Sequence, residues 1–198
     1  MTRRALQAAA LCATLTLTAC TGSPQAAQPN TTPPPTTPTT TAAPSTPTWT
    51  EEEQAAITAA KSRYAISRAA IDKALADPTK SSRAALEAAG LGDSWLLTAI
   101  EDVRSNREDG WYTSGTVNIV SLSPLSVNLD AQQPEVRLKS CIDSSQAVLR
   151  FQSNGKPVPL GPGNGKRHAF QAKVVQAPAA GKTTKMWFVV EEKTIGPC

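Results

Sequence analysis

The sequence predicts an α+β domain on residues 49–198, with helices first and an antiparallel sheet after them. Three observations carry that expectation. Apolar residues recur at helical spacing from Ile57 to Leu75, apolar–polar alternation sets in after Gly110, and glycine-bearing turns separate the alternating runs.

The first helix opens at Thr50-Glu51-Glu52-Glu53. The Thr50 side chain is placed to accept from the Glu53 amide while the Glu53 carboxylate reaches back, and acids in the first turn complement the helix dipole. Ile57, Ala60, Tyr64, Ser67, Ile71 and Leu75 form its core face, and Asp77-Pro78 stops it. A short helix is expected from Ser82 to Ala89, closed by Gly90. Asp93 is expected to cap a third helix, with Leu97, Ile100 and Arg104 on one face and its end near Asn106.

Strands are expected over 116–120, 126–129, 136–141, 147–151, 170–175 and 185–190. Ser153-Asn154-Gly155-Lys156 and Ala180-Gly181-Lys182 read as hairpin turns.

Ahead of this domain the composition changes twice. Arg3 and Arg4 precede an apolar stretch from Ala5 to Leu17, followed by Leu17-Thr18-Ala19-Cys20. Charge, apolar core and small-residue cleavage site form the plan of an export signal over residues 1–19, too short to span a bilayer as a lasting helix. The last four of those residues resemble the bacterial lipobox. The resemblance implies thioether lipidation of Cys20, cleavage before it, and retention at the extracytoplasmic face of the cell membrane. A plain secreted protein with Cys20 beside its cleavage site is the alternative. More than one acyl chain gives stable anchoring, at ~0.8 kcal/mol per buried methylene.

Residues 20–48 hold no charged residue and are crowded with Thr and Pro. Pro removes backbone donors and Thr builds no core, so an extended spacer of ~3 Å per residue is expected. Such Thr/Pro tracts are also O-glycosylation candidates.

The formal charge is +4, and cleavage before Cys20 removes Arg3 and Arg4 with no acid. The remainder lacks the concentrated basic face that phosphate affinity needs, so nucleic acid is excluded as a partner. Lys166-Arg167-His168 reads as a solvated turn.

Cys12 leaves with the signal, so an exported chain keeps Cys141 and Cys198 beside the lipidated cysteine. Their simplest fate is a disulfide, which restricts the unfolded chain by ~4 kcal/mol in the loop-entropy account. A reactive or metal-binding pair is the alternative, but His168 is the single histidine and partner ligands for a metal are too few.

Taken together, the lipobox, the Thr/Pro tether, a long first helix with Tyr64, the strand ending Cys141-Ile142-Asp143, the Gly155 turn, Trp187 on the last strand and terminal Cys198 resemble the small NTF2-like lipoproteins of actinobacteria and their phages. The resemblance implies helices packed on a strongly curved antiparallel sheet, a cone that relatives use as a ligand pocket or an enzyme site. It also implies an envelope protein without known activity, or a phage product that excludes other phages.

Catalytic chemistry is sparse. Gly161-Pro162-Gly163-Asn164-Gly165-Lys166 fails as a phosphate loop, since Arg167 stands where Ser or Thr is needed and no helix follows. His168 beside Lys166 and Arg167 has no nucleophile elbow to serve. An isomerase-type site needs a buried acid with a raised pKa and an oxyanion donor. Tyr64, Asp102 and Asp143 are its candidates, although Tyr64 also reads as core with its hydroxyl satisfied and Asp143 as the cap of the turn after Cys141.

Tyr64, Trp95, Trp111 and Trp187 are candidates to line a pocket; Tyr112 is a further aromatic for such a lining, and Trp187 also reads as plain core. No metal or cofactor is expected. The expected role is a non-enzymatic module that meets the membrane through Cys20 and binds a protein or a small apolar ligand.

Overall fold

A computed structural model describes residues 48–160 and 166–198. The expected export signal, Cys20, the expected tether up to residue 47 and the glycine-rich stretch 161–165 lie outside the described residues. The described residues fall in one unit spanning Thr46–Cys198.

Helix α1 runs Glu51–Ala76 and begins with the expected reciprocal cap. The Glu53 amide donates to Thr50 Oγ1 at 3.2 Å, and the Thr50 amide donates to Glu53 Oε2 at 2.8 Å. Ala56, Ile57, Ala60, Tyr64, Ser67, Ile71 and Ala74 are buried along one face. Ala74 takes the deep position expected of Leu75, which is half-buried beside the core. Pro78 cannot continue the helix, and its carbonyl accepts from Arg107 Nε at 3.1 Å and Nη2 at 2.6 Å.

Helix α2, Arg83–Ala88, is capped by Ser82, whose hydroxyl accepts from the Ala85 amide at 3.2 Å. Gly90 follows with φ +93, and a Cβ there would lie 2.2 Å from Arg63 Cδ. The backbone conformation therefore favours glycine, and a side chain there would also displace Arg63.

Helix α3 spans Asp93–Glu108 and corrects two expectations. Gly92, not Asp93, occupies the cap position, and Asp93 is the first helical residue at φ +46. The reason lies in the sheet. Gly92 N–H donates to the Val189 carbonyl at 2.9 Å and Val189 N–H donates to the Gly90 carbonyl at 2.8 Å, so the α2–α3 connection pairs with a strand edge. The second correction is the core face: Trp95, Leu96, Ala99 and Val103 are buried, while Leu97 is 58% exposed.

The main sheet consists of β2 (Asn118–Asn128), β3 (Glu135–Asp143), β5 (Arg167–Pro178) and β6 (Lys185–Pro197), antiparallel in the order β2-β3-β5-β6. The two expected segments around 116–120 and 126–129 are one strand, β2, with register shifts at Ile119/Ser121 and Pro124/Ser126. Pro124 has no amide to donate, which suits a bulge on an edge strand. The β5–β6 pairing carries two further shifts, at Ala169/Phe170 and Lys173/Val174. Each bulge bends its strand and increases local twist.

A second, two-stranded sheet pairs β1 (Trp111–Ser114) with β4 (Val148–Phe151). Sequence patterning predicts no strand at β1. The Gly155 turn does reverse the chain, but it brings Val158 back onto β4 and does not join two long strands. The Gly181 turn joins β5 to β6 as expected.

Core packing lies between the helices and one face of the main sheet. Val136, Leu138 and Ile142 of β3, Ala172 and Val174 of β5, and Val189 of β6 meet α1 and α3 there. Burying a Val, Leu or Ile side chain stabilises by about 1.5–3 kcal/mol. The opposite face carries ion pairs of Glu135 with Lys173 (3.0 Å) and Arg137 (2.7 Å).

Cys141 and Cys198 form a disulfide with Cα atoms 5.9 Å apart and 57 positions apart in sequence. Registers Cys141↔Ala169 and Ala169↔Gly196 place β5 between the two cysteines. The C-terminus therefore crosses β5 at Ala169, a small residue 4% exposed, and is fixed to β3.

Candidate functional site

Four polar side chains converge where α1 meets the sheet. Tyr64 and Arg68 are one turn apart on α1, Ser140 comes from β3 and Glu192 from β6. The Tyr64 hydroxyl donates to Glu192 Oε1 at 2.5 Å and lies 2.8 Å from Ser140 Oγ. An ionised carboxylate accepts only, so the tyrosine proton goes to Glu192 and Ser140 donates to the tyrosine oxygen. Arg68 Nη1 donates to Glu192 Oε2 at 2.8 Å, and its guanidinium lies 5.6 Å from the Phe170 ring centroid. The Arg68 Nε–H is buried without a partner among the described residues.

Trp95 of α3 stacks on Tyr64, with centroids 6.2 Å apart and planes 9° from parallel. Burial and then the Glu192 carboxylate push the Tyr64 phenol well above the ordinary tyrosine range.

Above this cluster lies a cavity of about 260 Å³ lined by Arg68, Ile71, Ser94, Trp95, Thr98, Ala99, Asp102, Phe170 and Glu192. Asp102 stands on α3 at its exposed rim, and desolvation, then the neighbouring Glu101 charge, raises its carboxyl. Asp72, one turn beyond Arg68, is raised by desolvation and held back by Arg68.

Two larger concavities lie elsewhere. One of about 530 Å³ is walled by Ala70, Lys73, Ala74, Asp77 and Leu86 between α1 and α2. Another of about 650 Å³ runs between α2 and the β5–β6 hairpin past Leu91, Met186 and Phe188. Neither is lined by a buried charged side chain. The smaller cavity is the better candidate because polar groups converge on it with aromatic walls.

Of the sequence-predicted residues, Trp95 and Asp102 line this cavity and fully buried Tyr64 stands behind it. Trp111 sits instead in the small sheet opposite Phe151, and Trp187 packs beside the core from β6. Asp143 is remote from the cavity and holds the turn after Cys141. It accepts from the Ser145 amide at 2.9 Å and from Arg167 Nε at 2.8 Å, and these partners, the Ser145 backbone first, lower its carboxyl to about 2. His168 packs edge-on to Phe170 at 6.5 Å.

Sequence reasoning missed Arg68 and Glu192. Arg68 carried a usable signal, since it follows Tyr64 by one helical turn. Glu192 did not. Straight alternation from inward-facing Val189 points Glu191 inward, and the bulge that pairs Lys173↔Glu191 but Val174↔Val189 turns Glu192 inward instead.

Among the described residues no group of three or more His, Cys, Asp and Glu is placed to hold a metal. No described helix is long and apolar enough to cross a membrane.

No family model matches the chain, and no curated protein matches it. Among solved structures it resembles the intermembrane space region of chloroplast protein ARC6, at 12% identity and TM-score 0.49, over 71% of this chain and 96% of that one. That likeness carries no function to this chain.

Proposed function

We propose that the chain is an envelope lipoprotein of the NTF2-like kind, anchored by lipid on Cys20 and held off the extracytoplasmic membrane face by its Thr/Pro tether. Its α+β domain is a binding module, and the cavity beside Trp95 is the binding site. The observation that carries the reading is the Cys141–Cys198 disulfide, because such bonds persist in oxidising, extracytoplasmic compartments. It agrees with the signal and lipobox in the first 20 residues.

A binding role is favoured over an isomerase role by the partners of the buried groups. The Glu192 carboxylate is engaged by both Tyr64 and Arg68, and the Tyr64 hydroxyl has no exposed surface on which to meet a substrate. The test is fractionation of cells expressing Cys20→Ala. Anchoring by lipid predicts loss from the membrane fraction and appearance in the medium; unchanged membrane retention would sink the reading.

A further inference from the structure

The groups around the small cavity select the charge of what enters it. We infer that it binds a primary alkylammonium group, with Asp102 as the counter-charge, Glu192 as a further acceptor, and the alkyl tail against Trp95, Ile71 and Ala99. This rests on the reading of the cavity as a binding site.

Hydrogen-bond capacity is the first argument. The Ser94 hydroxyl donates to the Val190 carbonyl at 3.0 Å, and the Thr98 hydroxyl donates to the Ser94 carbonyl at 3.1 Å. With their protons so placed, both oxygens retain acceptor lone pairs. Asp102 and Glu192, when ionised, also only accept. Four acceptors therefore line the cavity, and an ammonium group brings three donors to them.

Charge is the second. Two carboxylates line the cavity against one guanidinium. That guanidinium is paired with Glu192 at 2.8 Å and lies over Phe170, so those two charges offset one another although the Arg68 Nε–H keeps no partner among the described residues, and Asp102 carries the excess. Asp72 adds a further carboxylate one turn along α1. An anion would meet this excess of negative charge, and a neutral apolar molecule would strip water from acceptors without replacing it. Size is the third: about 260 Å³ is below the usual range for drug-sized ligands and suits a short chain.

A free short amine and a lysine side chain share this chemistry. The experiment titrates the purified protein with n-butylammonium chloride at constant ionic strength. It follows the indole N–H resonance of Trp95, identified by its loss in Trp95→Phe. Matched titrations use n-butanol, sodium butyrate and Nα-acetyl-lysine methylamide.

The expected result is a saturable shift with n-butylammonium, at least about fivefold weaker with n-butanol and absent with butyrate, as a charge-selective site requires. Asp102→Asn, on the exposed rim, is expected to keep the dispersed spectrum and weaken n-butylammonium binding about fivefold. Acetyl-lysine methylamide matching or exceeding n-butylammonium assigns the group to a peptide side chain; weaker binding assigns it to a free amine. Saturable binding of butanol or butyrate at equal strength, or an unchanged affinity in Asp102→Asn, overturns the ammonium assignment while the cavity remains a binding site. No shift at Trp95 with any probe overturns both.

Discussion

Glu191 and Glu192 are neighbours in sequence and lie in different worlds. Glu191 pairs with Lys193 on the open face of the sheet, at 2.7 Å and with side chains 37% and 71% exposed. Glu192 pairs with Arg68 under the helices, at 2.8 Å and with side chains 5% and 17% exposed. Chemistry and distance are nearly the same; solvent is not. In water two charges at contact are worth about 1 kcal/mol, while burial strengthens their attraction and adds a large desolvation cost. The lesson is that removing one partner has consequences of very different size on the two faces. On the open face water replaces the lost partner, and under the helices nothing does.

The largest effect is therefore expected from Glu192→Ala. It leaves the Arg68 charge and the Tyr64 hydroxyl without their acceptor, a loss of about 3–5 kcal/mol, whereas Glu191→Ala should stay within about 0.5 kcal/mol. Urea unfolding of the two variants side by side measures the gap. Equal losses would break the comparison.

Tyr64→Phe sharpens it. The ring, its stacking on Trp95 and its volume remain, and one donor to Glu192 is lost, so about 1–3 kcal/mol is expected. A neutral result would mean that Ser140 or water takes over the donor role to Glu192.

The smallest effect concerns acid. The Asp143–Arg167 pair meets water through Arg167, 58% exposed, while the Asp143 side chain is 14% exposed and its carboxyl is lowered from 3.8 to about 2. A lowered carboxyl contributes stability that is present above its unfolded value and lost as pH falls through its folded one. Asp143→Asn should therefore flatten the decline in urea midpoint between pH 3.8 and about 2, and leave the neutral-to-alkaline slope unchanged. An acid limb identical to wild type would remove Asp143 from the account.

The same contrast explains what the sequence could reveal. Helix α1, its reciprocal cap at Thr50, its stop at Pro78 and the cap of α2 at Ser82 are set by residues within a few positions of one another, so they were readable. The disulfide between Cys141 and Cys198 was readable from the cysteine count together with the expected export. Features decided by distant chain were not. Asp93 loses the cap position because the edge of β6 engages Gly90 and Gly92, which leaves the connection extended up to the helix. Strand β1 is four residues long and its partner lies 34 positions away even at the Ser114↔Val148 end, too short and too distant for alternation to reveal. Leu97 looked like core because helical periodicity fixes spacing but not phase, and the packing of Trp95 and Leu96 against the sheet chose the phase.

The candidate site was half legible. Trp95 and Asp102, expected from their residue types, line the cavity, and Tyr64 stacks on Trp95 behind it. Glu192 was hidden because a bulge, which shifts inward and outward faces by one residue, is a property of two strands and not of one.

The most direct test of the Arg68–Glu192 pair as the floor of the site is a double-mutant cycle with Arg68→Met and Glu192→Gln, run beside one with Lys193→Met and Glu191→Gln. Buried, the first pair should show a coupling of at least about 1.5 kcal/mol in urea unfolding, and the exposed second pair less than about 0.5 kcal/mol. Couplings of equal size would contradict the account.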